Sequence, residues 1–306
     1  MLKKDSPSLG YFYLFMAGVL WGLGGFFITK MTDLGAHPFL TGFTGHAFPV
    51  IPLFFVNFFK GGFKSFIISK RGMFYAIVLG MITKGFFKLC YDLSIQMIGI
   101  GTASVVLYTA PVFVTLISVF AFKENLKANH YLALFLNLSG VFLMVTQGEL
   151  NTLNLSAIGI TVGFISAFLY ALNTITAKLA TATEDPLVMT FYMMFYSALF
   201  QFFFAQPWLP ENIQLLMNPE FLKFSLLNGL LVGFFSNIFY FRGISTKIDM
   251  AKAPIVSSVE VIVATISGVL FFQEPLNFIG VLGIVLMLIS IGQMNKKSEA
   301  EKSLSD

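Results

Sequence analysis

The sequence predicts an all-α integral membrane protein of ten transmembrane helices in two inverted five-helix repeats, and three observations carry that class. A chain of 306 residues with 57% hydrophobic and 11% charged residues, 38 of them phenylalanine, is too apolar to hide its surface as a soluble monomer. The apolar residues fall into ten runs, each close to the ~20 residues that cross a hydrocarbon core of ~30 Å. The punctuation between runs also occurs twice. Lys30, Pro38 and Glu124 of AFKENL are matched by Lys178, Pro186 and Glu274 of FFQEPL at offsets of 148, 148 and 150 residues, as a duplicated unit requires.

Gly, Pro, Asn or charge bounds most of the spans. The first, near 10–30, closes at Lys30, and the second, near 38–59, opens on Pro38 and closes before Lys60. The third, near 72–91, follows Lys70 and Arg71 and stops before Asp92; the fourth, near 101–122, runs from Gly101 to Lys123. The fifth, near 129–147, follows Lys127 and ends at GELNTLNL, 148–155, which separates the halves. The sixth, near 156–178, ends on Lys178, and the seventh, near 186–205, opens on Pro186. The longest predicted loop, AQPWLPENIQLLMNPE at 205–220, precedes the eighth span near 221–242. The ninth, near 249–272, ends at FFQEPL, and the tenth lies near 277–294. Residues 1–148 and 149–306 are therefore the two expected repeat domains, the second with a short tail.

Five spans per repeat make the second half enter the membrane from the opposite face. With the N-terminus inside, the inner segments hold Lys3, Lys4, Lys60, Lys64, Lys70, Arg71, Lys123, Lys127, Lys178, Arg242, Lys247, Lys252, Lys296, Lys297 and Lys302, whereas the outer ends hold Lys30 and Lys223. That bias predicts a multi-pass protein of the cell membrane with both termini cytoplasmic. Lys3 and Lys4 before an apolar run imitate a secretory signal, but no small-residue cleavage site follows and the run belongs to the repeat, so a retained helix is expected. KKSEAEKSLSD after Asn295 reads as a solvated tail. Cys90, the single cysteine, excludes an intrachain disulfide. The net charge of +4 lies between apolar runs without interleaved exposed aromatics, a pattern that topology explains better than nucleic acid binding.

VLWGLGGFFITK, Pro38, LYTAPVFVTLISVFAFKENL and AKAPIVSSVEVIVATISGVLFFQEPLNFIGVLGIVLMLISIG together resemble the EamA-type transporters of the drug/metabolite transporter superfamily over nearly the whole chain. The paired spans ending in Glu124-Asn-Leu and Glu274-Pro-Leu-Asn-Phe-Ile-Gly280 are the most specific part. The resemblance implies ten helices in two inverted halves and carriage of small metabolites, often amino acids or related compounds, through a central cavity. Where such proteins often place an Arg, eight residues after Pro38, this chain has His46, and the second half has Met194. The proline that often follows the ninth-span Glu is Val261 here, while Pro111 holds the repeat-related position.

Glu260, in the middle of the ninth span, is the most suggestive polar residue. An ionised group there costs roughly 2.5–3.5 kcal/mol on insertion scales, so it is expected to face a cavity or a partner. It has three possible roles: binding a substrate ammonium, accepting a coupling proton, or pairing with a lysine. Lys84, Lys88 and Asp92 share one face of the third span at four-residue spacing. A Lys88–Asp92 pair near the interface leaves the deeper Lys84 as the cavity candidate. His46 joins Glu260 as a candidate for coupling. Asn137, Asn173 and Asn237 read first as hydrogen-bonding glue between helices and second as ligand contacts. Trp21, Tyr108, Tyr170 and Tyr240 can wall a substrate, with lipid contact or core packing as the plain alternative for each. Gly18 and Gly22, Gly159 and Gly163, and Gly229 and Gly233 repeat at the spacing of close helix packing. Glu124 and Glu274, at span ends, are expected to anchor structure.

No His-Glu-x-x-His, Gly-x-Ser-x-Gly, intramembrane Asp pair, Cys/His cluster or phosphate loop is present, which argues against an enzyme and against ATP-driven transport. No cofactor and no metal ligand set is predicted. The expected function is a secondary carrier that moves an amino acid or related amine-containing metabolite by alternating access. Its expected partners are that small molecule, membrane lipid and a possible coupling proton or ion. The predicted contacts are Trp21, Lys84, Tyr108, Asn173, Asn237, Tyr240 and Glu260. A carrier of quaternary amines or other organic cations, a channel-like facilitator and a non-transporting membrane interaction protein remain open.

Overall fold

A computed structural model describes residues 7–149 and 156–295, so Lys3, Lys4, the tail from Lys296 and most of the segment separating the halves lie outside the described residues. All regular structure among the described residues is helical. Nine apolar segments emerge, and one of them, Lys70–Phe122, has 53 residues. At 1.5 Å per residue it is ~80 Å long, more than twice the ~30 Å core, so it holds two crossings. Gly99, at φ 78° and ψ 158°, separates them. Ten crossings result.

The first span is α1 (Pro7–Gly22) and α2 (Gly24–Asp33), offset at Leu23. The second, α3 (Pro38–Gly61), starts where the His37 ring accepts from Leu40 N at 3.3 Å and Pro38 occupies the first turn, whose N–H groups need no helical partner. The third comprises α4 (Lys70–Ile77), a π-helical segment (Val78–Phe86) and the first part of α5 (Phe87–Leu107). It does not stop at residue 91 as predicted, because the paired Asp92 carries its charge within the helix at little penalty. The fourth is the rest of α5 with α6 (Ala110–Phe122), and the fifth is α7 (Ala128–Thr146). The sixth and seventh are α8 (Ala157–Thr181) and α9 (Pro186–Ala205), the latter capped by Asp185. The predicted long loop contains a short helix, α10 (Pro210–Met217), started by Pro210 and anchored by Asn212 to the carbonyls of Ala205 and Gln206. The eighth is α11 (Pro219–Asn228), a second π-helical segment (Gly229–Phe235) and α12 (Ser236–Ser245). The ninth joins a 3₁₀ turn (Met250–Lys252), α13 (Ala253–Ser257) and α14 (Val259–Phe272); the tenth is α15 (Phe278–Asn295).

Packing follows the repeat. The second span lies on the seventh and the fifth on the tenth; the first lies on the eighth and ninth as the sixth lies on the third and fourth. Exchanging the halves leaves this pattern unchanged, which is the pseudo-two-fold relation of an inverted repeat. Backbone irregularities are duplicated too. Lys123 and Gln273 close their spans at φ 54° and 55°, and the amides of Glu124 and Glu274 bond Ser118 O and Gly268 O at 3.0 and 3.2 Å.

Gly18 and Gly22 set the distance between the first and ninth spans. A Cβ at either would stand 2.3 Å from Ser257 O or 2.6 Å from Glu260 O, well inside contact distance. Gly159 and Gly163 meet the third and fourth spans in the same way, and Gly229 and Gly233 meet the second. Phe59, Phe120 and Phe278 are each about 80% exposed, a surface suited to lipid.

Candidate functional site

Both the fourth and ninth spans are broken helices, and their breaks are repeat-related: Tyr108 with Thr109, and Ser258. Pro111, in the first turn of α6, lacks the N–H that would extend that ladder back across the fourth-span break, whereas Pro254 starts α13 before the ninth-span break and Val261 stands at the position matching Pro111. Thr109 Oγ1 donates to Val106 O and Ser258 Oγ to Ile255 O, each at 2.7 Å, so carbonyls freed at the breaks are partly satisfied by side chains. Between the breaks lies a cavity lined by Tyr108, Pro111, Tyr170, Pro254, Ser257 and Glu260. Its volume of about 20 Å³ holds about one water, so the site is nearly closed.

Glu260 is half-buried in the first turn of α14. Its carboxylate takes part in no hydrogen bond and no ion pair within the described residues. Lys84, in the π-helical segment of the third span, also lacks an ion partner; its Nζ stands 5.3 Å from the centroid of the Trp21 ring. Trp21 packs at 4.9 Å from Tyr240, whose hydroxyl is 2.6 Å from Thr174 Oγ1. The third and ninth spans thus each carry a charge without an ion partner among the described residues, of opposite sign.

The closures at the two faces differ. On the near face, where the first span begins, Lys60 pairs with Asp185 at 2.5 Å, Ser69 Oγ donates to Glu184 at 2.5 Å, and Met250 N donates to Glu124 Oε1 at 3.0 Å. On the far face Gln147 Nε2 donates to Pro275 O at 2.8 Å and Asn277 N to Gln147 Oε1 at 2.9 Å. Beside that link, between Gly99, Thr102, Thr146 and Asn277, lies a vestibule of about 490 Å³.

The sequence profile of the EamA-like transporter family matches residues 8–146 and, a second time, residues 157–295. This chain belongs to the EamA-like transporter family. A relative from Archaeoglobus fulgidus, described as an uncharacterized transporter, is 28% identical over 223 residues, which is 70% of this chain and 74% of the relative. A protein of known crystal structure superposes with a TM-score of 0.76 over 94% of this chain and 96% of its own length. At 15% identity that likeness establishes the fold alone.

Within this EamA fold the residues singled out from sequence separate into groups. Tyr108 and Glu260 line the cavity, with Tyr170, while Lys84 and Trp21, in contact with one another, are not among its lining residues. Tyr240 and Asn237 are each 2% exposed and do not reach it. Asn237 Nδ2 instead donates to Val232 O at 3.2 Å and Gly233 O at 2.8 Å, satisfying carbonyls of the second π-helical segment. Asn173 Oδ1 accepts from Thr83 Oγ1 at 3.0 Å, tying the sixth span to the third, and Asn137 Nδ2 donates to Ser258 Oγ at 2.6 Å, bracing the ninth-span break. Asn173 and Asn137 thus bond between spans, whereas Asn237 bonds within its own. His46 belongs to a separate polar cluster, where Gln201 Nε2 donates to its Nδ1 at 2.6 Å and Ser197 Oγ lies 3.4 Å away. Lys88 and Asp92 form the expected pair, at 2.5 and 2.6 Å.

Sequence reasoning missed Pro254, Ser257 and Ser258 as lining residues, although the Ala-Pro dipeptides at 110–111 and 253–254 marked both helix starts. It also missed Gln201, whose partner is 155 positions away. No spacing rule connects the two.

Proposed function

We propose that this EamA-family transporter is a secondary carrier of a small zwitterionic metabolite, an amino acid or a related amine-containing compound. The observation that carries the reading is that Glu260, lining the cavity, and Lys84, over the Trp21 ring, are opposite charges with no ion partner among the described residues, suited to an ammonium and a carboxylate. Each group is expensive to hold unpartnered in a membrane, and a zwitterion supplies both missing partners at once. Tyr108 and Tyr170 supply the wall, and Glu260 with His46 are the groups that can carry a coupling proton. The nearly closed cavity fits an occluded state, from which alternating access opens one face at a time. On the described residues, lysine and arginine concentrate on the near face, as at Lys60, Lys64, Lys70, Arg71, Lys123 and Lys127, with Lys30 and Lys223 at the far face. That distribution supports a cytoplasmic near face in the cell membrane.

Counterflow in liposomes tests the reading. Labelled amino acid is expected to accumulate against unlabelled amino acid loaded inside, with trans-stimulation, and choline is expected to compete poorly because Lys84 repels it. Uptake without trans-stimulation would indicate a channel, preference for choline would indicate an organic-cation carrier, and failure of both labels would remove this cargo class.

A further inference from the structure

At the near face Lys178, in the last turn of the sixth span, points its ammonium into a cradle of backbone carbonyls. Nζ donates to Ile244 O at 2.7 Å, Thr246 O at 2.6 Å and Ile248 O at 3.3 Å, so all three of its protons are used. These carbonyls form the end of the eighth span and the link to the ninth, the broken helix that carries Glu260. The same link is held from the first half by Glu124, which accepts from Met250 N. An exposed helix end would be capped by water at little cost; here a cation is committed to it.

Lys178 is the repeat mate of Lys30, 148 residues earlier, in the last turn of α2 at the far face. The carbonyls matching 244, 246 and 248 at the 150-residue offset of the paired glutamates are those of Ser94, Gln96 and Ile98, at the end of the third span. Lys30 donates to none of them. It lies 5.4 Å over the Phe272 ring at the end of the ninth span, and the far-face vestibule opens beside the unclamped link at Ile98, Gly99 and Thr102. The halves share spans, breaks, π-helical segments and capped turns, yet differ at this latch.

In an inverted repeat, exchanging the conformations of the halves converts a state closed at one face into the state closed at the other. Resting on the alternating-access reading proposed above, we infer that Lys30 and Lys178 are alternating latches. Lys178 holds the link between the eighth and ninth spans while the near face is closed. In the opposite state it releases that link, and Lys30 takes the carbonyls of residues 94–98 to close the far face. Because one latch forms as the other breaks, charge-assisted bonds are exchanged at little net cost, and the two states stay close in free energy. A lysine that only capped its helix end would have placed its repeat mate on the matching carbonyls in this same structure.

The test uses spin labels on exposed positions in a Cys90→Ala background in liposomes: Thr183→Cys with Lys247→Cys at the near face, and Asp33→Cys with Ile100→Cys at the far face. Lys178→Ala is expected to lengthen the 183–247 distance and shorten 33–100, changing the ratio of the two populations about tenfold or more, as loss of a hydrogen bond to a charged group implies. Lys30→Ala, which removes no hydrogen bond present in this structure, is expected to deplete the population with a long 183–247 distance by a similar factor. Lys178→Arg should restore the parent distribution. A change at 183–247 with no reciprocal change at 33–100, or no effect of Lys30→Ala, would overturn the latch. Adding a mixture of the twenty proteinogenic amino acids to the parent separates the two ideas. Reciprocal movement in the parent together with insensitivity to both lysine variants rejects the latch alone; faces that never move reciprocally reject alternating access as well.

Discussion

Replacing Asp92 by Asn decides whether the third-span pair is structure or machinery. Lys88 Nζ meets both carboxylate oxygens, at 2.5 and 2.6 Å, and the side chains are 22% and 6% exposed. An exposed i,i+4 pair would contribute about 0.3–0.5 kcal/mol, whereas removing one partner from a buried pair costs about 3–5 kcal/mol because the other charge is left uncompensated. Partial exposure of Lys88 lets its head reach toward the interface, which puts Asp92→Asn near the lower end, at about 3 kcal/mol. Replacing both residues, Lys88→Met with Asp92→Leu, removes the orphan charge and is expected to return stability to within about 1 kcal/mol of the parent. Equilibrium unfolding in mixed micelles of Lys88→Met, Asp92→Leu and the double variant closes a cycle whose non-additivity measures the coupling. Counterflow on the same proteins completes the experiment: the folded double variant should carry cargo at the parent rate. A single-variant cost below about 1 kcal/mol would show a hydrated pair, and a stable double variant without transport would show that the pair handles cargo.

Glu260→Gln keeps the shape of the side chain and removes its charge, so insertion and thermal stability should stay close to the parent while counterflow falls at least tenfold; transport at the parent rate, with the parent response to pH, would refute a role in cargo or proton handling. Gly22→Ala places a Cβ 2.6 Å from both Glu260 O and Val263 Cβ, forcing the first and ninth spans apart. Overpacking of this kind costs about 1–3 kcal/mol, so a thermal scan should show a clear loss, and an unchanged midpoint would mean that the contact yields freely. Maleimide labelling of single cysteines in a Cys90→Ala background checks orientation: a cysteine at Lys64 should react only from the cytoplasm and one at Glu211 only from outside, and the reverse pattern would invert the topology.

Several features depend on local chemistry and were legible in the residues alone. Ten spans follow from run length against a fixed bilayer thickness, and the inverted repeat from an odd number of spans per duplicated unit. Lys88 and Asp92 pair because four residues of helix bring them to one face. That Glu260 needs either a cavity or a partner followed from its place in an apolar span, and the choice between them did not.

Other features required distant segments to meet. Tyr240 resembled Tyr108 as an aromatic in an apolar span, but helix rotation and packing buried it against Trp21 and Thr174 while Tyr108 reached the cavity. Asn237 turned back to its own helix because a π-helical segment left carbonyls to satisfy, a backbone defect that hydrophobic pattern does not encode. The helix across Asp92 ran on past its charge because pairing lowered the penalty, and α10 formed in the long loop where Asn212 anchors it. His46 found Gln201, and Lys178 found three carbonyls nearly 70 residues away. Hydrophobic period and charge placement act within a segment and can be read there. Which face of each segment meets another segment is a property of the packed bundle, so the choice among equally plausible polar residues was made by tertiary structure alone.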